Sequence, residues 1–455
     1  MNATVTAGEL LRRLLAVAGV DAVYGAPLEG VPVTPVADPA VAELLAAAHR
    51  RVHRTPSAVH VGDRRLVIGS AVGPVSGSMV GPAVGPAVGP VVGPVVGPVV
   101  GDPAGTDERV ITRAEELLDP LPGAVALRLD LDLGGAAPDA VPVPAPRPDR
   151  WAEPDPAVVE ALRRCRAPAV LAGPGVVAAG AVEGLNAFAT GGDLGVLNTW
   201  GAKGVFHWRS RHHWATVGLQ ARDFELGGLA DADLIVATGV DPDEAPDDRW
   251  RLAPTVTVAP GALGPLSEHW RRPPGELGVP PLRSALAVVT QEGWASAALP
   301  LAPSRVTLHY GDVFGSGGLV AADPGVAGYW LARTFSTTVL GSAQVPARRG
   351  HGFAAACALV ARLRRPARPV LAAVDRLSPA TAAVLEAAAC LGVAVPVEVW
   401  DPGGPEVTAD DHLERLRRVA VTAPSGPVAV RTDAGQLGRM IDVAGPVVAW
   451  GGLGP

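Results

Sequence analysis

Short apolar runs alternate with longer segments through the middle of the chain. Three of these runs, 168–172, 195–198 and 234–238, are apolar and stop at glycine or a small polar residue. The segments between them are long enough for helices, so the hydrophobic period changes from continuous to helical and back. This alternation predicts a parallel sheet with crossover helices. We expect a ligand at the carboxyl ends of the strands, where the glycines lie.

The same kind of pattern flanks this middle region on both sides. Together the three regions predict an α/β fold of three doubly wound parallel-sheet domains. The predicted helices are a capped first helix at 6–17 and others at 41–52, 109–118, 352–363 and 380–391. The predicted flanking strands are 21–24, 66–68, 124–131, 306–308, 370–374 and 393–399. The predicted domains are 1–135, 157–260 and 301–455, with a proline-rich linker at 136–156 and a second linker at 261–300.

A tetrapeptide repeat interrupts the first predicted domain. From 81 to 101 the chain reads Gly-Pro-Ala-Val twice and then Gly-Pro-Val-Val three times, followed by glycine. Proline at every fourth position excludes a helix interior and a central strand. We expect an extended, turn-containing insertion, either as simple low-complexity sequence or as an adhesive element.

Composition narrows the classes of function. The net charge is −7 and no basic cluster is present, which argues against nucleic acid as the main partner. No run of about 18 apolar residues occurs, so we expect no membrane span. The three cysteines share no metal-ligand spacing and favour a reduced, cytoplasmic setting. Lys203 is the only lysine in the chain.

Three motifs in the middle region indicate a family. They are Ala-Gly-Pro-Gly at 172–175, Thr-Trp-Gly-Ala-Lys-Gly at 199–204 with His212, His213 and Gly218 after it, and Leu-Ala-Asp-Ala-Asp-Leu-Ile-Val-Ala-Thr-Gly at 229–239. The stretch that carries them resembles the central domain of thiamine-diphosphate-dependent enzymes of the acetolactate synthase and pyruvate decarboxylase type. Lys203 then stands at a family position.

The resemblance implies an architecture and a cofactor. It implies a pyrimidine-binding first domain, a pyrophosphate-binding third domain, bound thiamine diphosphate with Mg²⁺, and a homodimer or tetramer. It implies a small keto-acid-like substrate, and it places Gly25 and Pro27 of the first domain at the cofactor. A glutamate of the first domain would bind the aminopyrimidine ring, and a Gly-Asp-Gly motif of the third would hold the magnesium.

The chain departs from the family at both catalytic positions. The place of the glutamate falls on Pro39, so Asp38 and Glu29 are the acids left as catalytic candidates. The Gly-Asp-Gly place reads Val-Asp-Arg around Asp375, and Asp401 stands where the family has asparagine. Asp375 and Asp401 are therefore the candidate metal and cofactor ligands. The alternative is that they form turns or cap helices.

Two classes of function remain open. The first is a divergent thiamine-diphosphate-binding protein whose carbon–carbon bond chemistry is absent or altered. The second is an inactive homologue that acts as a binding, regulatory or scaffold subunit. A minor alternative is nucleotide or flavin binding by the central domain, because Gly-Pro-Gly at 173–175 precedes a helix. For the His212–His213 pair we expect a surface or domain-edge role, and for the acidic loop at 241–248 a solvated turn.

Overall fold

The structure, a computed structural model, describes residues 5–62, 65–68, 108–121, 125–144, 152–275, 277–422 and 426–453. The repeat predicted to be an extended insertion lies outside these ranges. The chain divides into two compact units. The first comprises 1–47 and 55–145, and the second comprises 48–54 and 146–455.

The first unit is built around a mixed six-stranded sheet. Its strands are β1 (Val23–Gly25), β2 (Thr34–Pro35), β3 (Ala58–His60), β4 (Arg65–Ile68), β5 (Glu108–Ile111) and β6 (Val125–Leu129). Their order is β2-β1-β3-β4-β6-β5. The pairs β1–β2, β1–β3 and β5–β6 are parallel, whereas β4 runs antiparallel to both its neighbours. One strand of this sheet therefore departs from the predicted parallel arrangement.

Helix α1 (Ala7–Val17) closes one side of the first unit. Its leucines at 10, 11, 14 and 15 are almost completely buried, which matches the predicted apolar face. The Thr6 hydroxyl accepts a hydrogen bond of 3.2 Å from the Glu9 backbone N–H and so begins the helix. Helix α2 (Pro39–His53) starts with proline at its first position, where no N–H is needed.

The second unit contains two parallel five-stranded sheets, here called the central sheet and the third sheet. The central sheet is formed by β7 (Pro168–Ala172), β8 (Val196–Thr199), β9 (His213–Val217), β10 (Leu234–Thr238) and β11 (Thr255–Val258), in the order β11-β10-β7-β8-β9. The third sheet is formed by β12 (Leu319–Ala322), β13 (Ala343–Gln344), β14 (Val370–Val374), β15 (Val397–Trp400) and β16 (Val428–Val430), in the order β13-β12-β14-β15-β16. The predicted α/β class with three sheets is confirmed.

Helices surround these two sheets. They are α3 (Pro156–Arg164), α4 (Pro174–Ala178), α5 (Val182–Gly192), α6 (Asp247–Trp250), α7 (Leu263–His269), α8 (Pro281–Ala295), α9 (Pro303–Phe314), α10 (Val326–Thr334), α11 (Phe353–Arg364), α12 (Pro379–Cys390), α13 (Ala409–Val421) and α14 (Gly435–Ala444). No helix within the described residues is long and apolar enough to cross a membrane.

The two faces of the central sheet are buried in different cores. Val170 and Val236 belong to the core formed with the nearby helices, whereas Leu171 and Ile235 belong to a core that continues into the third sheet. Alternate residues of a strand point to opposite faces, which explains this division. One hydrophobic core therefore joins the central and third sheets.

Two predicted elements are wrong, each for a local reason. Residues 306–308 lie in helix α9 and form no strand, because Val306, Tyr310 and Phe314 repeat every fourth residue and are buried together. Residues 109–118 do not form one helix. They begin as strand β5 and end as a short 3₁₀ helix at Ala114–Leu118.

The passage predicted as the second linker is folded over much of its length. Helices α7 and α8 lie within 261–300. Leu282, Leu286 and Val289 of α8 belong to the core that joins the central and third sheets. Proline at the first helical position begins α8, so the proline-rich composition here marks a helix start as well as a connection.

Candidate functional site

The first-unit candidates lie around the end of strand β1. Gly25 has φ +121°, and a side chain there would collide with the His60 carbonyl oxygen. Pro27 and Glu29 are exposed. Asp38 is also exposed, and its Oδ1 accepts a hydrogen bond of 2.9 Å from the Ala40 N–H at the start of α2. The structure thus gives Asp38 a local role in beginning this helix.

Asp375 caps the N-terminus of helix α10. It follows β14, and its two oxygens accept hydrogen bonds of 2.6 Å from the Val326 N–H and 2.8 Å from the Ala327 N–H, in the first turn of α10. Burial raises the pKa of this carboxyl, and the two backbone hydrogen bonds oppose that rise. Asp323, after the neighbouring strand β12, caps α11 in the same way, through the N–H groups of residues 352 and 354 at 2.8 Å each.

Asp401 follows β15, the strand next to β14. It is exposed, and its Oδ1 accepts a hydrogen bond of 2.9 Å from the Gly403 N–H. Magnesium sites often use only one or two carboxylates, with phosphate oxygens and water as the remaining ligands. Within the described residues no group of three or more His, Cys, Asp or Glu side chains is placed to hold a metal.

The glycines at the carboxyl ends of the central strands serve close packing. A side chain at Gly173 or Gly175 would collide with the backbone of Gly239, which follows β10. The Gly239 carbonyl accepts a hydrogen bond of 2.8 Å from the Gly175 N–H. The absence of side chains at these glycines therefore lets the two loops pack closely, and the helix that follows, α4, is only five residues long.

A cavity of about 300 Å³ lies instead beside edge strand β9, under helix α8 and the end of α10. We call it the Lys203 pocket. Its cationic and imidazole side chains are those of Lys203, His213, Arg283 and Arg333, and its large apolar side chains are those of Trp208, Trp214, Leu286, Trp294 and Phe335. Ala215, Thr216, Ala287, Thr290, Gln291, Thr334 and Ser336 complete the wall. None of these described lining residues is acidic.

Lys203 is the most unusual group in the pocket. Its side chain is buried, with 7% of the residue exposed, and it has no hydrogen-bond or ion-pair partner among the described residues. Burial first, and then the positive charge of Arg333, lowers the pKa of its ammonium group from 10.5 to about 7. An ammonium ion without a partner in such a place is costly, so the neutral amine becomes accessible near neutral pH.

Further donors on the pocket wall also lack partners. The indole N–H groups of Trp214 and Trp294 and the Nε–H of Arg333 are buried and make no hydrogen bond within the described part of the chain. Buried polar groups are nearly always paired, by protein or by a ligand. All three of these atoms are donors, so the group that would satisfy them is an acceptor.

The two arginines of the pocket differ in how their charge is balanced. The Nη2 of Arg333 lies 2.8 Å from Asp223 Oδ1 and 2.9 Å from Oδ2, and both side chains are buried. Arg283 donates only to backbone carbonyls in the described contacts, among them that of His213 at 2.5 Å. Its charge is therefore not neutralised by an acid, and burial lowers the pKa of its guanidinium group.

His213 faces Lys203 and Arg283 from the start of strand β9. Burial first, and then the charges of Lys203 and Arg283, lowers its pKa from 6.5 to about 3. The imidazole is therefore neutral at physiological pH. Of the expected surface or domain-edge role, the second describes His213, because it begins edge strand β9 and lines the pocket there.

Glu244 anchors the loop that presents Lys203. It is fully buried, and its Oε2 accepts hydrogen bonds of 2.5 Å from the Thr199 hydroxyl and 2.8 Å from the Gly201 N–H. Arg51 lies 3.4 Å from its other oxygen. Burial raises the pKa of the Glu244 carboxyl, and Arg51 and the hydrogen bonds oppose that rise. The acidic loop at 241–248 is therefore not wholly a solvated turn.

Comparison with known protein families gives one match. Residues 156–258 match the family described as "Thiamine pyrophosphate enzyme, central domain". The matched range is less than a quarter of the 455-residue chain. A comparison with curated proteins finds no match.

The matched range supplies one side of the Lys203 pocket. Lys203, His213 and the anchoring Glu244 all lie inside the matched range, whereas the pocket residues of α8 and of 333–336 lie outside it. The resemblance singled out Lys203 and His213 by motif. Nothing in the sequence placed Arg283 or Arg333 beside them, since these residues come from segments far away along the chain.

Proposed function

We propose that the protein binds a small organic anion in the Lys203 pocket, as a relative of thiamine pyrophosphate enzymes of the acetolactate synthase type. We propose further that the carbon–carbon bond chemistry of those enzymes is absent or altered here. One observation carries the binding proposal. The pocket presents the ammonium of Lys203 and three further unpartnered donors, and no acid stands among its described lining residues.

The energetics favour an anion over a neutral ligand. An unpaired buried cation and unpaired buried N–H groups each destabilise the empty pocket. A carboxylate accepts several hydrogen bonds at once and brings the opposite charge, so its binding relieves both costs. The indole rings of Trp208 and Trp294 pack edge to face, with their centroids 6.1 Å apart. They offer an apolar surface to the remainder of the ligand.

Intrinsic fluorescence tests this proposal, because three of the ten tryptophans line the pocket. Titration with pyruvate, benzoylformate and phosphate should give a saturable change for at least one anion. Arg283→Met should weaken that binding by roughly 10–100-fold, through loss of a charged hydrogen bond. Arg164→Met is the matched control, since Arg164 is exposed and pairs only with Glu160 in the described contacts. Equal affinities in the two variants would count against the Lys203 pocket as the site.

A thiamine-diphosphate-dependent enzyme is the second candidate, and the central-domain match favours it. Under this candidate, Asp375 and Asp401 hold Mg²⁺, the activating acid is Asp38 or Glu29, and Gly25 and Pro27 lie at the cofactor. The described geometry supports this only in part, because both oxygens of Asp375 already accept hydrogen bonds from the first turn of α10. The candidate therefore rests on the domain match.

Calorimetry separates the two candidates. Thiamine diphosphate with Mg²⁺ is titrated into the wild-type protein and into Asp375→Ala. Saturable, metal-dependent binding that weakens in the variant would support the enzyme. Absence of binding up to millimolar concentration would leave an inactive homologue with a binding, regulatory or scaffold role. A yellow colour on purification would reveal flavin, the minor alternative.

A homodimer or tetramer is part of the same proposal. Light scattering measures it directly, and a monomer would count against a cofactor site shared between copies.

A further inference from the structure

Lys203 has the surroundings of a nucleophilic amine. It is buried in a cavity, it has no acidic partner on the pocket wall, and two arginine side chains line the same cavity. Arginine keeps its charge at any physiological pH, so the positive charge that would hold an anion does not depend on Lys203. A lysine in such surroundings loses its proton more readily than an exposed lysine, and the neutral amine is the nucleophilic form.

We propose that Lys203 forms an imine with the carbonyl carbon of a small oxo acid whose carboxylate lies against Arg283. This inference rests on the proposed function, since the same pocket first has to bind the anion. It goes further by assigning a covalent step, an attacking atom and a substrate class with two features, a carbonyl group and a carboxylate.

Arg283 is placed to hold the carboxylate. Its described hydrogen bonds go to the backbone carbonyls of Ser210 and His213 and use one of its two terminal nitrogens. The remaining donors of the guanidinium group have no acidic partner in the described contacts. The unpartnered indole N–H groups of Trp214 and Trp294 add two more donors to the same cavity.

His213 presents a neutral imidazole to the same cavity. Its Nδ1 lies 3.4 Å from the Trp208 carbonyl oxygen. A carbonyl oxygen only accepts, so Nδ1 carries the proton and the lone pair lies on Nε2. With a pKa of about 3 the imidazole stays neutral at pH 7, so it adds no positive charge to the cavity and offers Nε2 as a hydrogen-bond acceptor.

The step balances without an oxidant or reductant. The amine nitrogen of Lys203 bonds to the carbonyl carbon, and the carbonyl π electrons move to the oxygen. The proton that leaves the nitrogen passes to that oxygen through solvent water to give a carbinolamine. The hydroxyl then takes a proton from solvent and leaves as water, while the nitrogen lone pair forms the C=N bond. The products are a protonated imine at Lys203 and one molecule of water.

The expected advantage over an ordinary lysine is large. With a pKa of about 7, roughly half of Lys203 is free amine at neutral pH. A lysine at 10.5 has roughly one molecule in a few thousand in that form. Imine formation should therefore be about 10²–10³-fold faster at Lys203 than at free Nα-acetyl-lysine.

Reductive trapping of the full-length protein tests the proposal. The protein is incubated at pH 7 with glyoxylate or pyruvate and sodium cyanoborohydride, and the products are followed by intact mass and peptide mapping. Because the chain has a single lysine, only the α-amine competes with it. We expect one adduct, at Lys203. The rate of its formation should saturate with oxo acid, and the half-saturating concentration should equal that of the fluorescence change. Lys203→Arg should remove the adduct.

The two proposals fail in different ways. A saturable fluorescence change with no faster trapping at Lys203 than at Nα-acetyl-lysine overturns the imine and leaves anion binding intact. Absence of saturation in both measurements overturns both. Trapping that rises linearly with oxo acid, at the α-amine and Lys203 alike, overturns the imine as a property of the pocket.

A second variant keeps the test valid if Lys203→Arg does not fold. Arg283→Met retains the lysine and removes the partner of the carboxylate. We expect at least a 10-fold slower trapping of glyoxylate, while trapping of neutral propionaldehyde stays within about twofold of wild type. Equal slowing of both reagents would contradict the placement of the carboxylate at Arg283.

Discussion

The carboxylate of Glu244 accepts a hydrogen bond of 2.8 Å from the backbone N–H of Gly201, two residues before Lys203. A second bond, from the Thr199 hydroxyl at 2.5 Å, ties the same carboxylate to the end of strand β8. This buried acid fixes the loop from which the only lysine of the chain enters its pocket.

Replacing this acid should loosen the loop. Glu244→Gln turns an acceptor into a partial donor facing two donors, so we expect a loss of about 1–3 kcal/mol in the free energy of unfolding. We also expect weaker anion binding. Urea denaturation and fluorescence titration measure the two effects. Asp243→Asn, in the same loop but exposed, is the control and should change stability by less than about 1 kcal/mol. Unchanged anion affinity in Glu244→Gln would remove it as a positioning residue.

The buried Lys203 should lower the free energy of unfolding relative to an apolar residue at the same position. Its pKa is about 7 in the folded chain and near 10.5 when unfolded. Between these values the unfolded state binds more protons, so wild-type stability rises with pH across this window. Lys203→Met should therefore stabilise the protein, on the order of 2–4 kcal/mol at pH 7, and by progressively less as the pH approaches 10.5. Thermal melts of both proteins across this range measure the difference, and a pH-independent difference would show that the amine is not desolvated.

His213 should weaken the fold in acid. Its pKa is about 3 in the folded state against 6.5 for an unperturbed histidine, and the groups that face it are Lys203 and Arg283. Below pH 6.5 His213 is protonated in the unfolded chain but stays neutral in the folded chain. The free energy of unfolding therefore falls as the pH drops towards 3. His213→Gln should reduce this fall by up to about 1 kcal/mol per pH unit. Denaturation at pH 7, 5 and 4 gives the slopes, and parallel slopes would contradict the assignment.

The Arg333–Asp223 pair should be costly to break from one side. Both side chains are buried, and Asp223 also accepts hydrogen bonds from the backbone N–H groups of Leu219 and Gln220, at 2.8 and 3.0 Å. Asp223→Ala leaves the guanidinium charge uncompensated, so we expect a loss of about 3–5 kcal/mol. Adding Arg333→Met should recover part of it. A double-mutant cycle measures the coupling, and additive losses would show that the pair is not coupled.

Asp375 distinguishes a helix cap from a metal ligand. As a cap it is needed for its oxygens, so Asp375→Ala should cost about 1–2 kcal/mol, and Asp375→Asn less. As a magnesium ligand it is needed for its charge. Asp375→Asn would then abolish metal-dependent binding of thiamine diphosphate while preserving most of the stability. Calorimetry with and without Mg²⁺, together with urea denaturation of both variants, separates the roles.

The sequence predicted the central sheet well because its strands are continuous apolar runs closed by glycine. Val170, Val236 and their neighbours are buried on both faces, and burial on both faces leaves this pattern. The same rule failed at Val306, where a helix buries apolar residues at every fourth position. Short apolar runs do not distinguish the two structures.

The candidate site was only partly predictable. Lys203 stood out as the single lysine in a family motif, but its pocket is formed with Arg283 and Arg333 from later segments. Their approach depends on the packing of α8 and α10, which no local pattern encodes. Glu244 was hidden for a similar reason. An acid within a run of acids is expected to be solvated, and only the structure shows that Glu244 is the buried one.

The core shared by the central and third sheets has a consequence for how this protein can be divided. Residues 156–258 are the range that matches the family, yet Leu171, Leu197 and Ile235 on one face of their sheet belong to a core with side chains from beyond residue 258. A fragment cut at the limits of the match would expose this face to water and should aggregate. The range of the family match and the unit able to fold alone therefore have different boundaries, and an expression fragment has to extend through the third sheet.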